Sequence, residues 1–290
     1  MQGIDLHLHS SASDGSLSPE RLMERAKSEG FAVVALADHD TTLGLAAAGK
    51  RAAELDMACI PCVELSVGRQ LEIHLLGYGV DPDAPELAAL LDEMRRDRVE
   101  RVRAMAEGLQ RAGYPVDYEQ VRARAGGAVG RPHIAQVLVE AGVASSTAEC
   151  FAKLIGKDAP FYVPRKKLST QRGIEAVRSA GGVAVLAHPG QLRLSQQDLF
   201  GQIQHMKEEG LQGLECYHNA HAPATQDWLR ATCKRLALLV TGGSDFHGAA
   251  KPNVKLGSGL ERWDDAWACL DRLREAMGQG AKPAGGPRND

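Results

Sequence analysis

Seven apolar, β-rich runs punctuate the chain at residues 3–9, 31–37, 58–65, 71–79, 183–187, 211–217 and 236–242, and most hold or end on a histidine, aspartate or glutamate. Each run has the length of one strand, and several lead into a helical pattern, so the chain reads as a repeated strand–helix rhythm. Ser18 can cap the first helix, with Pro19 at its first position, Leu22, Met23 and Ala26 as its apolar stripe and Gly30 as its stop. Phe31 to Ala37 then reads as a buried parallel strand. The same grammar recurs where Ser169 opens a helix that ends at Gly181-Gly182, before Val183 to Ala187. Seven strands in this rhythm predict an α/β fold, specifically a distorted (β/α)7 barrel.

The rhythm breaks between residues 86 and 166. A long charged helix (Glu86 to Ala112), a Tyr114-Pro115 turn and further short helical patterns follow, with no strand among them. The expected organisation is a discontinuous barrel of residues 1–85 and 167–277, an inserted helical subdomain of residues 86–166, and a Gly- and Pro-rich tail of residues 278–290 that is disordered. Arg95, Arg96, Arg98, Arg101, Arg103 and Arg111 alternate with Asp97, Glu100 and Glu107, which reads as a solvated face laced with ion pairs rather than a nucleic-acid surface.

A chain of 290 residues, 44% hydrophobic and 24% charged, can bury a deep site. Its net charge of -3 gives no global basic field, so duplex DNA is not an expected partner. No run reaches the roughly 18 apolar residues of a membrane span, and the chain opens without a signal-like segment, so a cytoplasmic protein with no membrane partner is expected. Of the six cysteines, Cys59 and Cys62 form a C-x-x-C; with no second pair to accompany it, all six read as free thiols used as small hydrophobes.

In Asp5-Leu6-His7-Leu8-His9 strict alternation sends both histidines to one side of a strand. A lone His-x-His is weak, because a hydrogen-bonded pair of core histidines is as common. The pattern repeats, however, in Asp38-His39-Asp40, Glu64, His74, His188-Pro189 and Asp245-Phe246-His247, at or near strand ends where barrel folds place active sites. Singly, His74 can be a satisfied core histidine, Glu64 a helix cap or ion-pair partner, and Asp14 a turn residue before Gly15. Together they weigh differently. An unsatisfied buried polar group costs on the order of 1–3 kcal/mol, so this many at strand ends imply mutual satisfaction, most simply by cations. The ligands are too many and too widely distributed for one ion, and Glu64 can bridge two. Imidazole and carboxylate without a well-placed thiolate suit manganese, iron or zinc.

These residues resemble the PHP domain family, named for polymerase and histidinol phosphatase, whose members are metal-dependent phosphoesterases. Five motifs carry the resemblance in order: Asp5-Leu6-His7-Leu8-His9-Ser10 with Ser13-Asp14-Gly15, Ala37-Asp38-His39-Asp40, Glu64-Leu65-Ser66, Ala187-His188-Pro189-Gly190, and Gly243-Ser244-Asp245-Phe246-His247. The resemblance implies a distorted seven-stranded barrel holding two to three divalent ions, manganese before iron or zinc. One site would use His7, His9, Glu64 and Asp245, a second Glu64, His74 and His188, and a third Asp14, His39 and His247. Glu64, Asp245 and His247 are the implied catalytic positions. Asp14 stands where some relatives have a histidine, which makes the third site harder.

Cations in such a site acidify water toward a pKa of ~7 and neutralise phosphate oxygens. For the rest of the substrate the candidates are Arg131 and His133 in Gly130-Arg131-Pro132-His133, Arg165 in Arg165-Lys166-Lys167, and His218-Asn219 after the sixth run. Arg131 is open between a phosphate fork and an ordinary surface ion pair. An insertion containing Gly-Arg-Pro-His resembles the small bacterial PHP phosphoesterases related to 3',5'-nucleoside bisphosphate phosphatases and 5'-to-3' exoribonucleases. That implies a phosphorylated nucleotide as substrate, with short 5'-phosphorylated RNA as a further one. Histidinol-phosphate phosphatase is the alternative within the family. Outside it stands a barrel amidohydrolase acting on C–N bonds, which also begins with His-x-His but often bridges its metals with a carboxylated lysine. A non-catalytic metal-binding module would lack ligands, and none is missing here.

Overall fold

In the computed structural model, which describes residues 3–68, 71–125, 129–166 and 168–278, each of the seven apolar runs forms a strand. These are β1 (Gly3–Leu8), β2 (Phe31–Leu36), β3 (Ala58–Val67), β4 (Ile73–Tyr78), β5 (Val183–Leu186), β6 (Gly213–Tyr217) and β7 (Leu239–Gly242). They join in one mixed sheet in sequence order. β1, β2 and β3 are parallel, as are β5, β6 and β7, while β4 runs against both neighbours. This reversal departs from a uniform strand–helix repeat. The few residues between β3 and β4 leave no room for the dozen or so that a parallel crossover requires, so the chain turns straight back. Beyond β7, Phe246 bridges Leu8 in parallel, the Asp245 N–H donates to the His7 carbonyl (2.9 Å), and the His9 N–H donates to the Phe246 carbonyl (3.0 Å).

Among the described residues the α-helices are α1 (Pro19–Ser28), α2 (Leu45–Glu54), α3 (Pro85–Arg111), α4 (Tyr118–Ala123), α5 (Arg131–Glu140), α6 (Thr147–Cys150), α7 (Thr170–Ser179), α8 (Gln196–Glu208), α9 (Pro223–Leu236) and α10 (Ala266–Ala276). The Ser18 hydroxyl accepts from the Arg21 N–H at the start of α1, and Ser169 does the same for Arg172 at α7. Leu22, Met23 and Ala26 of α1 join Ala48 and Ala52 of α2 in a core with Leu8, Val34 and Leu36. Burying a side chain such as Leu22 contributes about 1.5–3 kcal/mol, which is how these two helices hold the strands whose ends carry the polar residues.

The chain divides into two compact units, residues 1–90 with 167–290, and residues 91–166. The second is helical among its described residues and has its own core of Val102, Met105, Leu109, Val121, Ile134, Leu138 and Leu154, with a π-helical turn at Phe151–Ile155. On α3, Arg95 pairs with Asp92 (3.1 Å) and Arg111 with Glu107 (3.8 Å), as a solvated charged face would. Arg101 differs from that expectation: it is half-buried, and its Nε donates to the Val163 carbonyl (3.0 Å).

All six cysteines are free and buried, and burial pushes the Cys59 thiol up to about 12 and Cys62 well above its ordinary value. The C-x-x-C therefore offers no reactive thiolate. Among the described residues no helix is long and apolar enough to cross a membrane. Lys167 and, beyond Gly278, the tail expected to be disordered lie outside the described residues.

Candidate metal centre

The strand periodicity sends His7 of β1 and His9 just beyond it toward Glu64, a fully buried carboxylate in the second half of β3. Glu64 Oε1 lies 2.9 Å from both His74 Nδ1 and His188 Nε2, and Oε2 lies 3.3 Å from His7 Nε2, 3.2 Å from His9 Nε2 and 2.9 Å from His39 Nδ1. Around it three groups present converging ligand atoms: His7, His9 and Asp245; His39, Glu64 and His74; and His9, Asp14, His39 and His247. Asp245 Oδ1 is 3.3 Å from His9 Nε2, and Asp14 Oδ1 is 3.2 Å from His247 Nε2. All nine residues put forward as ligands thus stand around one cluster. Their grouping differs in detail from the expected one, because His9 and His39 each turn one ring nitrogen to Glu64 and the other toward Asp14.

Close as they are, these atoms do not satisfy one another. His7 Nε2, both His9 nitrogens, His39 Nδ1, Glu64 Oε2 and His247 Nε2 are buried with no hydrogen-bond partner among the described residues. At on the order of 1–3 kcal/mol for each orphaned group, such a cluster needs something else at its centre. Imidazole nitrogens and carboxylate oxygens aimed at shared points fit divalent cations.

The charges around the cluster are strongly coupled. Burial alone would raise the Glu64 carboxyl, but His39, His74 and His7 hold it well below the usual carboxylate range. Asp245 is likewise opposed by burial and held well below that range by His218 and His9. Burial would lower His9, yet Asp245 and Glu64 carry it to about 9. In His188 and His247 burial wins, and both fall to about 4. Three residues here, Asp40 (φ 53°), His188 (φ 29°) and Asp245 (φ 56°), sit in the left-handed region despite their side chains, a strain of order 1–3 kcal/mol each that concentrates at functional sites.

A second polar layer holds the ligands in place. Asp38 accepts from the Ser10 N–H (2.8 Å) and from the Ser10 and Ser13 hydroxyls (2.6 Å each), and buried Asp5 accepts from the N–H groups of Ser244 (2.8 Å) and Gly257 (2.9 Å). Glu215 on β6 is fully buried beside His7 and His188. His218 receives the Ala220 N–H on Nδ1 (3.0 Å), so its neutral ring carries hydrogen on Nε2, which faces Asp245 Oδ2 at 3.6 Å. Lys251 places Nζ 2.7 Å from the same oxygen. Asn219 donates its amide to the Ser244 carbonyl, bracing the loop before Asp245. Sequence reasoning missed Glu215 and Lys251. Glu215 had a signal, a carboxylate inside an otherwise apolar run, whereas nothing local marks Lys251.

Within the second unit, Arg131 opens α5 and lies 5.4 Å from the ring centres of both Phe151 and Tyr162. Among the described residues its partners are these two rings, and no ion pair with a carboxylate is present. His133 Nδ1 accepts the Gly130 N–H (3.0 Å), capping α5. Burial, and then the charges of Arg131 and Arg165, lower the guanidinium pKa of Arg101, so these three arginines share one neighbourhood. Arg101 was not among the expected binding residues.

An α/β fold that gathers histidines and carboxylates into such groups at its strand ends has the makings of a metal-dependent hydrolase. The chain belongs to the PHP domain family, whose model matches residues 5–282. It is 36% identical over 260 residues to the 5'-3' exoribonuclease Rnm of Escherichia coli (strain K12), covering 88% of each chain. It is 33% identical over 261 residues to the 3',5'-nucleoside bisphosphate phosphatase of Chromobacterium violaceum, covering 89% of this chain and 91% of that one. Among solved structures, a protein described as a metal-dependent phosphoesterase from Bifidobacterium adolescentis superposes with a TM-score of 0.85 at 33% identity, covering 95% of this chain and 96% of the other. Family membership implies divalent metals, in keeping with the ligand groups above.

Proposed function

We propose that this protein is a phosphatase that removes the 3'-phosphate from nucleoside 3',5'-bisphosphates, and that it also releases 5'-nucleotides stepwise from short 5'-phosphorylated RNA. The observation that carries the hydrolytic reading is Glu64, whose two oxygens face five imidazoles on four other chain segments, with the Nε2 atoms of His7 and His9 and the Nδ1 of His39 buried and unsatisfied among the described residues. The nucleotide substrates follow the activities named for the two curated relatives. We assign His7, His9, Glu64 and Asp245 to one ion, Glu64, His74 and His188 to a second, and Asp14, His39 and His247 to a third. Manganese is the proposed metal, and the seven strands are proposed to form a distorted barrel, with residues 86–166 as its insertion. When bound, the cations supply an acidified water and neutralise charge on the phosphate.

In the reaction the water oxygen bonds to phosphorus as the ester P–O bond breaks, and a proton reaches the departing oxygen. The Nε2–H of His218, its tautomer set by the Ala220 N–H, can only donate, which suits it to hold an anionic phosphate oxygen. Lys251 adds an ammonium on the same side of Asp245. Arg131 and Arg165, with Arg101 beside them, are proposed as phosphate-binding residues of the second unit, where Phe151 and Tyr162 orient the Arg131 fork. His133 serves Arg131 by capping α5, and Asn219 serves the metal centre by bracing the Asp245 loop.

The test offers manganese-loaded protein adenosine 3',5'-bisphosphate, histidinol phosphate and a short 5'-phosphorylated RNA in parallel. Phosphate and AMP from the first, with mononucleotides from the third, are expected. Release of histidinol alone would replace the nucleotide reading with the histidinol-phosphate one.

A further inference from the structure

We propose that Glu215, which belongs to none of the three ligand groups, positions His7 for its cation by fixing which ring nitrogen carries the hydrogen. The proposal rests on the metal-centre reading above. Glu215 lies in the middle of β6, fully buried in a strand of otherwise uncharged residues, where a carboxylate persists only if both oxygens are satisfied. They are. Oε1 lies 2.9 Å from His7 Nδ1, and Oε2 accepts the backbone N–H of His188 at 2.7 Å. An ionised carboxylate only accepts, so Nδ1 carries hydrogen and the neutral ring keeps its lone pair on Nε2. That nitrogen has no hydrogen-bond partner and points at Glu64 Oε2 (3.3 Å) and Asp245 Oδ1 (3.9 Å). The other oxygen steadies His188, whose backbone is held at φ 29° and ψ 56° and whose Nε2 reaches Glu64 Oε1 at 2.9 Å. One carboxylate on β6 therefore sets a ring on β1 and a strained backbone after β5. Partners of this kind, behind the ligands themselves, fix imidazole tautomer and basicity in metal sites.

Glu215→Gln separates positioning from packing. Glutamine fills the same space but offers one oxygen to two donors. The His188 N–H can only donate, so it takes the amide oxygen, which leaves the amide NH2 facing His7 Nδ1. The ring must then accept there and carry its hydrogen on Nε2, which removes the lone pair from the cation. Manganese titration of chelator-treated protein is expected to show one ion weakened about 10–100-fold. Glu215→Asp, which keeps two acceptors, should recover part of that loss. A purely structural role would instead lower the melting temperature of the chelated protein and leave manganese binding by the folded fraction unchanged, overturning the proposal. Should Glu215→Gln not fold, nitrogen-15 spectra of zinc-loaded wild type decide the matter: hydrogen on His7 Nδ1 is expected, and hydrogen on Nε2 overturns it. His7→Ala separates the two levels. If it binds manganese like wild type, the metal-centre reading fails; if it loses an ion while Glu215→Gln does not, only the role of Glu215 fails.

Discussion

Glu64→Gln changes one charge and one acceptor at the point where five imidazoles meet. In the wild type Oε1 meets His74 and His188, while Oε2 faces His7, His9 and His39 without a hydrogen-bond partner among the described residues. Glutamine keeps one oxygen, and its amide nitrogen cannot ligate a cation, so under the proposed assignment at least one ion would lose a ligand. An ion present at 100 times its Kd stabilises the native state by about 2.7 kcal/mol. Two ions held as proposed would then contribute roughly 5 kcal/mol, and at about 2–4 °C per kcal/mol for a folding unit of some 200 residues the melting temperature would rise by roughly 10–20 °C. Calorimetry of chelator-treated protein with and without manganese should show that rise for wild type and no more than half of it for Glu64→Gln. Metal counting should find at least one ion fewer, and turnover should fall about 10³-fold, equivalent to roughly 4 kcal/mol of barrier. An equal rise with an equal metal count in Glu64→Gln would refute the reasoning that this carboxylate joins the sites.

Three further expectations follow from the same geometry. In the chelated protein His9, at about 9, gives stability that is complete below its ordinary 6.5 and lost as pH rises toward 9, whereas His188 and His247, at about 4, give stability present above 6.5 and lost as pH falls toward 4. Melting temperature should therefore peak near pH 6.5, and a continued rise up to pH 9 would contradict the assigned couplings. Arg131→Ala should raise KM for a nucleoside bisphosphate about 10–100-fold, the worth of one charge-assisted contact of roughly 1.5–3 kcal/mol, with the manganese count unchanged; an unaltered KM would remove Arg131 from the phosphate site. Gly243→Ala would put a Cβ 2.1 Å from His7 Cβ and 2.6 Å from its backbone nitrogen, so it should cost about 1–3 kcal/mol or more and weaken manganese binding, which thermal melts and metal titration would both read.

Much of the fold was legible locally. Strand alternation announced that His7 and His9 share a side, and Ser18 with Pro19 and Gly30 marked both ends of α1. Even the reversed β4 had a local sign in the few residues that separate its run from the one before, though the strand–helix rhythm elsewhere masked it. Arg131 could not be read this way. A guanidinium at a helix start suits an ion pair, an anion or an aromatic face equally well, and the choice of Phe151 and Tyr162 was made by a chain segment twenty or more residues away.

By itself, then, the sequence determined which residue types stand at which strand ends, because period and turn chemistry are properties of neighbours along the chain. Only the tertiary structure decided which nitrogen meets which oxygen. Glu215 reaches His7 across 208 positions, and Lys251 comes within 2.7 Å of Asp245 through a loop that no periodicity describes. Such pairings depend on strand order and register, which emerge when distant apolar faces pack together, and they convert a set of competent ligands into a site with defined tautomers and charges.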